Sequence, residues 1–196
     1  MKKIMFNDQY GLTKAVLDGR KTQTRRMVRG KNDSNFIIDI LEPEHIASLN
    51  NILGSDDNDL SSYHIGETVA IAQRYSDIMK DEYPTETSQN VRGTAGWNNK
   101  MFVKSEYMIH HICITGVHAE RLQDISDTDC FAEGIYRRDD VLDSNLEEVV
   151  AYTFPNSIRN WLTPKEAYAA LIDKISGKGT WDSNPYVFVY EFELID

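Results

Sequence analysis

Cysteine is nearly absent from this chain of 196 residues: Cys113 and Cys130 are the only two, and no Cys-x-x-Cys spacing occurs. That excludes a disulfide framework and gives no sign of a zinc site, so both read as inert small core residues. Long apolar runs are missing too, and none approaches the ~20 residues of a membrane-spanning helix. The N-terminal Met1-Lys2-Lys3-Ile4-Met5-Phe6 has too few apolar residues before Asn7 for a secretory segment, which leads us to expect a cytoplasmic protein. Positive charge is scarce: 21 Lys and Arg against 31 Asp and Glu leave a net charge of −10. Such a balance argues against wrapping long duplex DNA, which rewards a broad basic surface. With 41% apolar and 27% charged residues, the composition fits one soluble domain large enough to bury a core.

The scarce cations are concentrated in one place. From Lys14 to Lys31 there are seven Lys or Arg residues against a single acid, Asp18, which gives +6 locally and leaves −16 for the rest. Within Gly19-Arg20-Lys21-Thr22-Gln23-Thr24-Arg25-Arg26 an extended backbone would place Thr22, Thr24 and Arg26 on one face and Lys21, Gln23 and Arg25 on the other. One reading is a solvated turn followed by a charge-guarded strand edge. The other is an anion site for phosphate or a nucleotide, presented as one exposed cationic patch. Lys21 stands between Arg20 and the Arg25-Arg26 pair, and neighbouring cations disfavour its ammonium form. It is therefore a candidate base, and Thr24 a candidate nucleophile. On a regular strand the two point to opposite faces, so joint action needs a turn between Gly19 and Thr24.

Taken in order, Asp8 is positioned to cap a short helix through Leu12, Ala15 and Val16 that Gly19 closes. Residues 30–64 read as an insertion, with a strand at Phe36-Ile37-Ile38 and a helix from Pro43 to Leu53. Gly66-Glu67 turns into a strand Thr68–Ala72, residues 76–100 read as a long loop, and Met101–Val117 is the richest β region. His110 and His111 are adjacent on that strand, face opposite ways and cannot chelate one metal. Ser126 with Asp129 starts a helix that Gly134 closes, leaving Glu133 at its last turn, where the dipole is unfavourable for a carboxylate. Residues 144–154 suggest a second helix within a further insertion at about 136–160. Thr163-Pro164-Lys165-Glu166 opens a third, which ends at Gly177. Tyr186, Phe188, Tyr190, Phe192 and Leu194 alternate along a core strand. The expected class is α+β: a mixed sheet or small barrel decorated by helices.

Four blocks carry a resemblance: Leu17–Arg26; Gly66-Glu67-Thr68-Val69; Glu120–Ser126 with Ala132-Glu133-Gly134-Ile135; and Trp181–Val189. Together they resemble the ASCH domain family, especially its phage and prophage-like branch. The resemblance implies a PUA-like fold, a small β-barrel with helices at its rim, and an RNA-related role. Some smaller members are amidohydrolases that remove the acetyl group from 4-N-acetylated cytidine without a metal. Their lysine, threonine and glutamate match Lys21, Thr24 and Glu133, implying a base, a nucleophile and a proton shuttle, with no cofactor. Arg20, Arg25 and Arg26 would hold phosphate or stabilise an oxyanion, and Thr22 and Arg74 complete the expected substrate- or anion-binding set. Related sequences continue the Gly66 strand with a Trp-Val-Arg-Glu-like segment where this chain reads Ala70-Ile71-Ala72-Gln73-Arg74. The missing aromatic and acid imply a different or more weakly held ligand. The competing expectations are a non-catalytic RNA-binding module and a phage or prophage protein-interaction domain.

Overall fold

The aromatic alternation near the C-terminus builds the strand that organises the sheet. In the computed structural model, which describes residues 1–28, 62–79 and 90–196, Tyr186–Leu194 forms a strand hydrogen-bonded on both sides. Tyr186, Phe188, Tyr190 and Phe192 are buried as expected, whereas Leu194 is exposed. Val187 and Val189, on the opposite face, are buried as well. Helices therefore cover the face that a half-exposed strand would leave to solvent, and one continuous core takes in both sets of side chains.

The described strands of this sheet are β1 (Lys3–Ile4), β2 (Gln23–Met27), β3 (Thr68–Ile71), β4 (His111–Arg121) and, last in the chain, β7 (Tyr186–Leu194), in the order β1-β3-β4-β7-β2. β1 runs parallel to β3 and the other pairs are antiparallel, so the sheet is mixed and the class α+β. β4 shifts register against β7 between Ile114 and Gly116. A Cβ at Gly116 would lie 2.6 Å from Glu191 Oε2. The edge strands β1 and β2 share no backbone pairing, and the described strands form an open sheet rather than a closed barrel. A side chain spans the gap instead: Arg26 Nη2 of β2 donates to the carbonyl of Met5, just beyond β1.

Helices follow their local signals with one exception. Helix α1 (Leu12–Leu17) begins at Gly11, whose φ of +61° only glycine adopts easily. Asp8 does not cap it, because its carboxylate accepts from Thr13 Oγ1 and Lys100 Nζ instead. Helix α2 (Tyr75–Ile78) is a single turn. Helix α3 (Asp127–Ala132) is capped as expected by Ser126, whose hydroxyl accepts from the Asp129 amide. Helix α4 (Pro164–Ser176) has both halves of the Thr163–Glu166 capping box, and α5 (Thr180–Ser183) is a short turn after it.

Two expected elements take another form. The Met101–Val117 strand starts only at His111 and runs on to Arg121, because Lys100–Phe102 and Ser105–Tyr107 are tight 3₁₀ turns. Polar side chains occupy backbone groups there: Asn99 accepts from the Met101 amide, and the buried Lys100 ammonium donates to the Phe6 carbonyl, Asp8 and Thr13. The helix expected over residues 144–154 is a strand. β5 (Tyr136–Leu142) and β6 (Glu148–Thr153) form an antiparallel hairpin. Asp143 Oδ1 accepts from the Asn145 and Glu147 amides, and Leu146 takes a positive φ, so a tight turn wins over a helical start. β-branched and aromatic residues from Val149 to Thr153 then favour the extended form. The strand expected at Phe36-Ile37-Ile38 and the helix from Pro43 to Leu53 lie outside the described residues.

Candidate active site

Two chain reversals bring distant residues together. After α1 the chain turns at Gly19, with φ of +71°, and the Arg20 and Lys21 amides both donate to the Ala15 carbonyl at 2.9 Å. The next amide, of Thr22, donates to the Ala132 carbonyl at 2.9 Å and fastens the turn to the end of α3. Glu133 caps α3, and Gly134, with φ of +103°, sends the chain away from it. A Cβ at Gly134 would meet Lys21 Cδ at an ordinary contact distance of 3.8 Å, so it is the positive φ that favours glycine there. Lys21 thus sits in a turn before β2 begins. That turn removes the opposite-face conflict with Thr24, and both residues line the same cavity.

At the centre Lys21 Nζ meets Glu133 Oε2 at 2.5 Å, across 112 positions of sequence. Lys21 is 2% exposed and its ammonium also donates to the Gln23 carbonyl at 2.7 Å and the Glu133 carbonyl at 3.0 Å. All three of its protons are placed. Burial pushes the Lys21 ammonium below its ordinary range, Glu133 pulls it back up, and Arg26 and Arg25 push it down further. Arg25 reaches the same carboxylate from β2, with Nη1 3.1 Å from Glu133 Oε1 and Nε 2.8 Å from Glu120 Oε1. These two cations offset the unfavourable dipole at the end of α3.

Thr24 is buried and lines the cavity. It lies in β2 opposite Tyr190. The cavity it lines has a volume of about 720 Å³, and Lys21, Arg25, Arg26, Glu133 and Tyr168 are among the residues that line it. Phe6, Leu122, Leu171 and Val187 supply apolar wall. Such a combination of apolar lining with a few convergent polar groups suits a small organic ligand.

The cationic segment does not present one exposed patch. Lys21 and Arg25 are buried and paired with acids, and Arg20 pairs outward with Asp18 at 2.9 Å. Acids from α3 and β4 reach the same guanidinium and ammonium, an arrangement that local sequence does not contain. Arg20, Thr22 and Arg74 do not line the cavity. Thr22 is exposed, and Arg74 is held by Asp77 at 2.7 Å at the start of α2. Arg29 and Lys31 lie outside the described residues. His110 and His111 both contact Asp196, His111 Nδ1 at 2.8 Å from its carboxylate. Cys130 is buried in the core, where burial pushes its thiol up to about 12. Among the described residues no cluster of three or more His, Cys, Asp or Glu is placed to hold a metal, and no helix is long and apolar enough to cross a membrane.

Sequence reasoning missed Tyr168, Glu120 and Asp129. Tyr168 belongs to the buried stripe of α4 with Ala167, Leu171 and Ile172, and its hydroxyl was the available sign that this stripe does more than pack. Glu120 lay inside a quoted block but gained a role only through sheet register, which sets β4 and β2 on either side of β7. Compared with protein-family models, curated proteins and solved structures, the chain finds no match in any of the three.

Proposed function

We propose that the chain is an ASCH-type, PUA-like protein that binds an RNA segment or modified nucleoside and hydrolyses an amide of the 4-N-acylated cytidine class. The observation that carries the reading is the buried Lys21–Glu133 contact at 2.5 Å, in a cavity that Thr24 also lines. Nothing local forces these three residues together. As an ion pair they are resting; transfer of one proton from Lys21 to Glu133 leaves a neutral amine and a carboxylic acid. A ligand that fills the cavity excludes water, and desolvation favours that neutral pair. The amine then takes the Thr24 proton as Oγ1 attacks the acyl carbon, and Glu133 returns its proton to the departing cytidine amine. An acyl ester on Thr24 remains, and water resolves it to a carboxylate and free hydroxyl. No metal or cofactor enters these steps. The PUA-like reading of the fold draws on the sheet whose two edges Arg26 bridges at Met5.

A non-catalytic RNA-binding module is favoured by one observation: all three Lys21 protons already have acceptors. One experiment separates the two. Purified protein is screened against acylated nucleosides, with Thr24→Ala as control. Release of cytidine by the native protein and its loss in Thr24→Ala, with binding retained, supports the hydrolase. Absence of turnover together with strongly salt-dependent RNA binding refutes it and leaves the binding module.

A further inference from the structure

Consecutive residues on a strand face opposite ways, yet the cavity is lined by Thr24, Arg25, Arg26 and Met27 in unbroken succession. It therefore runs along the free edge of β2, in the gap that the open sheet leaves between β2 and β1. Backbone pairing fixes which main-chain groups face that gap. The Thr22 carbonyl accepts from the Phe192 amide, and the Val28 amide donates to the Tyr186 carbonyl. By the alternation of an antiparallel pair, Thr24 and Arg26 also turn their amides and carbonyls to β7. Gln23, Arg25 and Met27 turn theirs outward.

Side chains already occupy several of the carbonyls around the gap. Lys21 Nζ donates to the Gln23 carbonyl, Arg26 Nη2 to that of Met5 and Tyr63 Oη to that of Lys3. Arg25 and Met27 are left over: among the described residues nothing donates to their carbonyls or accepts from their amides. Met27 is an exposed residue, whereas Arg25 is enclosed, and its main chain is the part that the cavity reaches. Arg25 is 7% exposed as a whole residue but only 1% in its side chain, so what is open lies on the backbone. An enclosed amide and carbonyl on an edge strand call for a partner.

The geometry of that pair narrows the occupant. An N–H and a carbonyl offered side by side match a ligand edge that has an acceptor next to a donor. Both an extended peptide and a nucleobase have such an edge. A peptide adding a strand pairs with every second residue along the edge, but Lys21 fills the place at the Gln23 carbonyl and leaves Arg25 as the enclosed position. The length on offer is that of one base, and Phe6, Phe188 and Tyr190 add apolar surface to the same cavity. Main-chain groups carry no net charge, so this edge does not call for a phosphate.

We infer that the Arg25 backbone reads the base of the ligand: its N–H donates to the ring nitrogen beside the amino group of a cytosine, and its carbonyl accepts from the amino N–H, which an acylated cytidine keeps. The inference rests on the nucleoside reading of this cavity, but not on hydrolysis. It divides the work of Arg25, whose side chain is held by Glu120 and Glu133 while its main chain holds the ligand.

The test is amide hydrogen exchange followed by NMR on the native protein, with cytidine, 3-deazacytidine and a blocked dipeptide as probes. With no probe added, the Thr24 and Arg26 amides are expected to exchange slowly and the Arg25 amide faster than both. Equal protection of all three would show that Arg25 already has a partner, and overturns the inference. Cytidine is expected to slow the Arg25 amide. The deaza analogue, which has a C–H in place of the ring nitrogen, is expected to bind about 2- to 12-fold more weakly, the worth of one neutral hydrogen bond, and to leave that amide fast. Cytidine binding that leaves the Arg25 amide unchanged, or equal binding of the deaza analogue, overturns the backbone contact and keeps the nucleoside reading. Absence of cytidine binding overturns both. Slowing by the dipeptide and not by cytidine assigns the edge to a peptide and overturns the inference as well. Slowing by cytidine, without turnover of any acylated cytidine, keeps the contact and removes the hydrolase.

Discussion

Replacing Glu133 with Gln should cost more stability than replacing its partner Lys21 with Met, although the two side chains share one contact. Among the described residues Lys21 has a single acid in reach, whereas Glu133 has Arg25 Nη1 at 3.1 Å in addition to Lys21. Glu133→Gln keeps the shape but leaves a buried ammonium without a counter-charge, and turns an amide donor toward one of two cations. An uncompensated buried charge costs about 3–5 kcal/mol, and in a chain of this length that lowers Tm by roughly 6–20 °C. Lys21→Met leaves Glu133 paired to Arg25 and costs two carbonyls a donor, a loss of about 1–3 kcal/mol. The double variant should therefore be more stable than Glu133→Gln alone, since it removes the orphaned cation. A second signature is pH. The folded Lys21 titrates below its ordinary 10.5, so the penalty for its charge is full below the folded value and relieved as pH rises toward the unfolded one. Without Glu133 the folded value falls further, and the stability gap between Glu133→Gln and native protein should narrow from pH 7 to pH 9. Urea denaturation of the four proteins at both pH values measures all of this. If Lys21→Met is as damaging as Glu133→Gln, or if the single losses simply add in the double variant, the asymmetric pairing described here is wrong.

Two further outcomes follow from the same geometry. Turnover of an acylated cytidine should fall as pH rises through the Lys21 titration, which burial sets below the usual lysine range, because the Lys21–Glu133 pair then loses the proton that Glu133 returns to the departing amine; a rate that rises through that window would exclude this shuttle. Thr163→Ala should remove the hydroxyl that accepts from the Glu166 amide, leaving the other half of the α4 capping box on the backbone, and lower stability by about 0.5–2 kcal/mol in a chemical melt; no change would mean that the rest of the box and packing hold the helix start.

The parts legible in the sequence were those governed by neighbours in the chain. Thr163, Pro164 and Glu166 announce their helix because a capping box closes within four residues. The alternation from Tyr186 to Phe192 announces a strand because side chains on a strand repeat every second residue. Residues 144–154 misled because Glu147 and Glu148 suit a helix, while the turn that decides the outcome is made by Asp143 outside that window. The candidate site divides in the same way. Lys21 and Thr24 stood out by charge and hydroxyl, and Glu133 by its position at a helix end and the block around it. The acids that bury Arg25, and the placement of Tyr168, depend on strand order and helix docking, which no local pattern encodes. A cluster of cations in sequence became a set of ion pairs in space.

The position of β7 has a consequence for how the protein is made. β2 is complete at Met27, but its only described sheet neighbour is the strand from Tyr186 to Leu194. On a ribosome adding ~5–20 residues per second, roughly 10–30 s separate the synthesis of the two. Throughout that interval Lys21, Thr24 and Arg25 lack the sheet framework that holds them beside Glu133, so the nascent protein carries the chemistry of its cavity only as disconnected pieces. Assembly of the pocket waits for the strand from Tyr186 to Leu194, and long-range pairing of this kind makes folding slow relative to a chain of local contacts. A nascent chain stalled before Tyr186 would expose the apolar residues of β3 and β4 and would neither bind nor turn over a ligand.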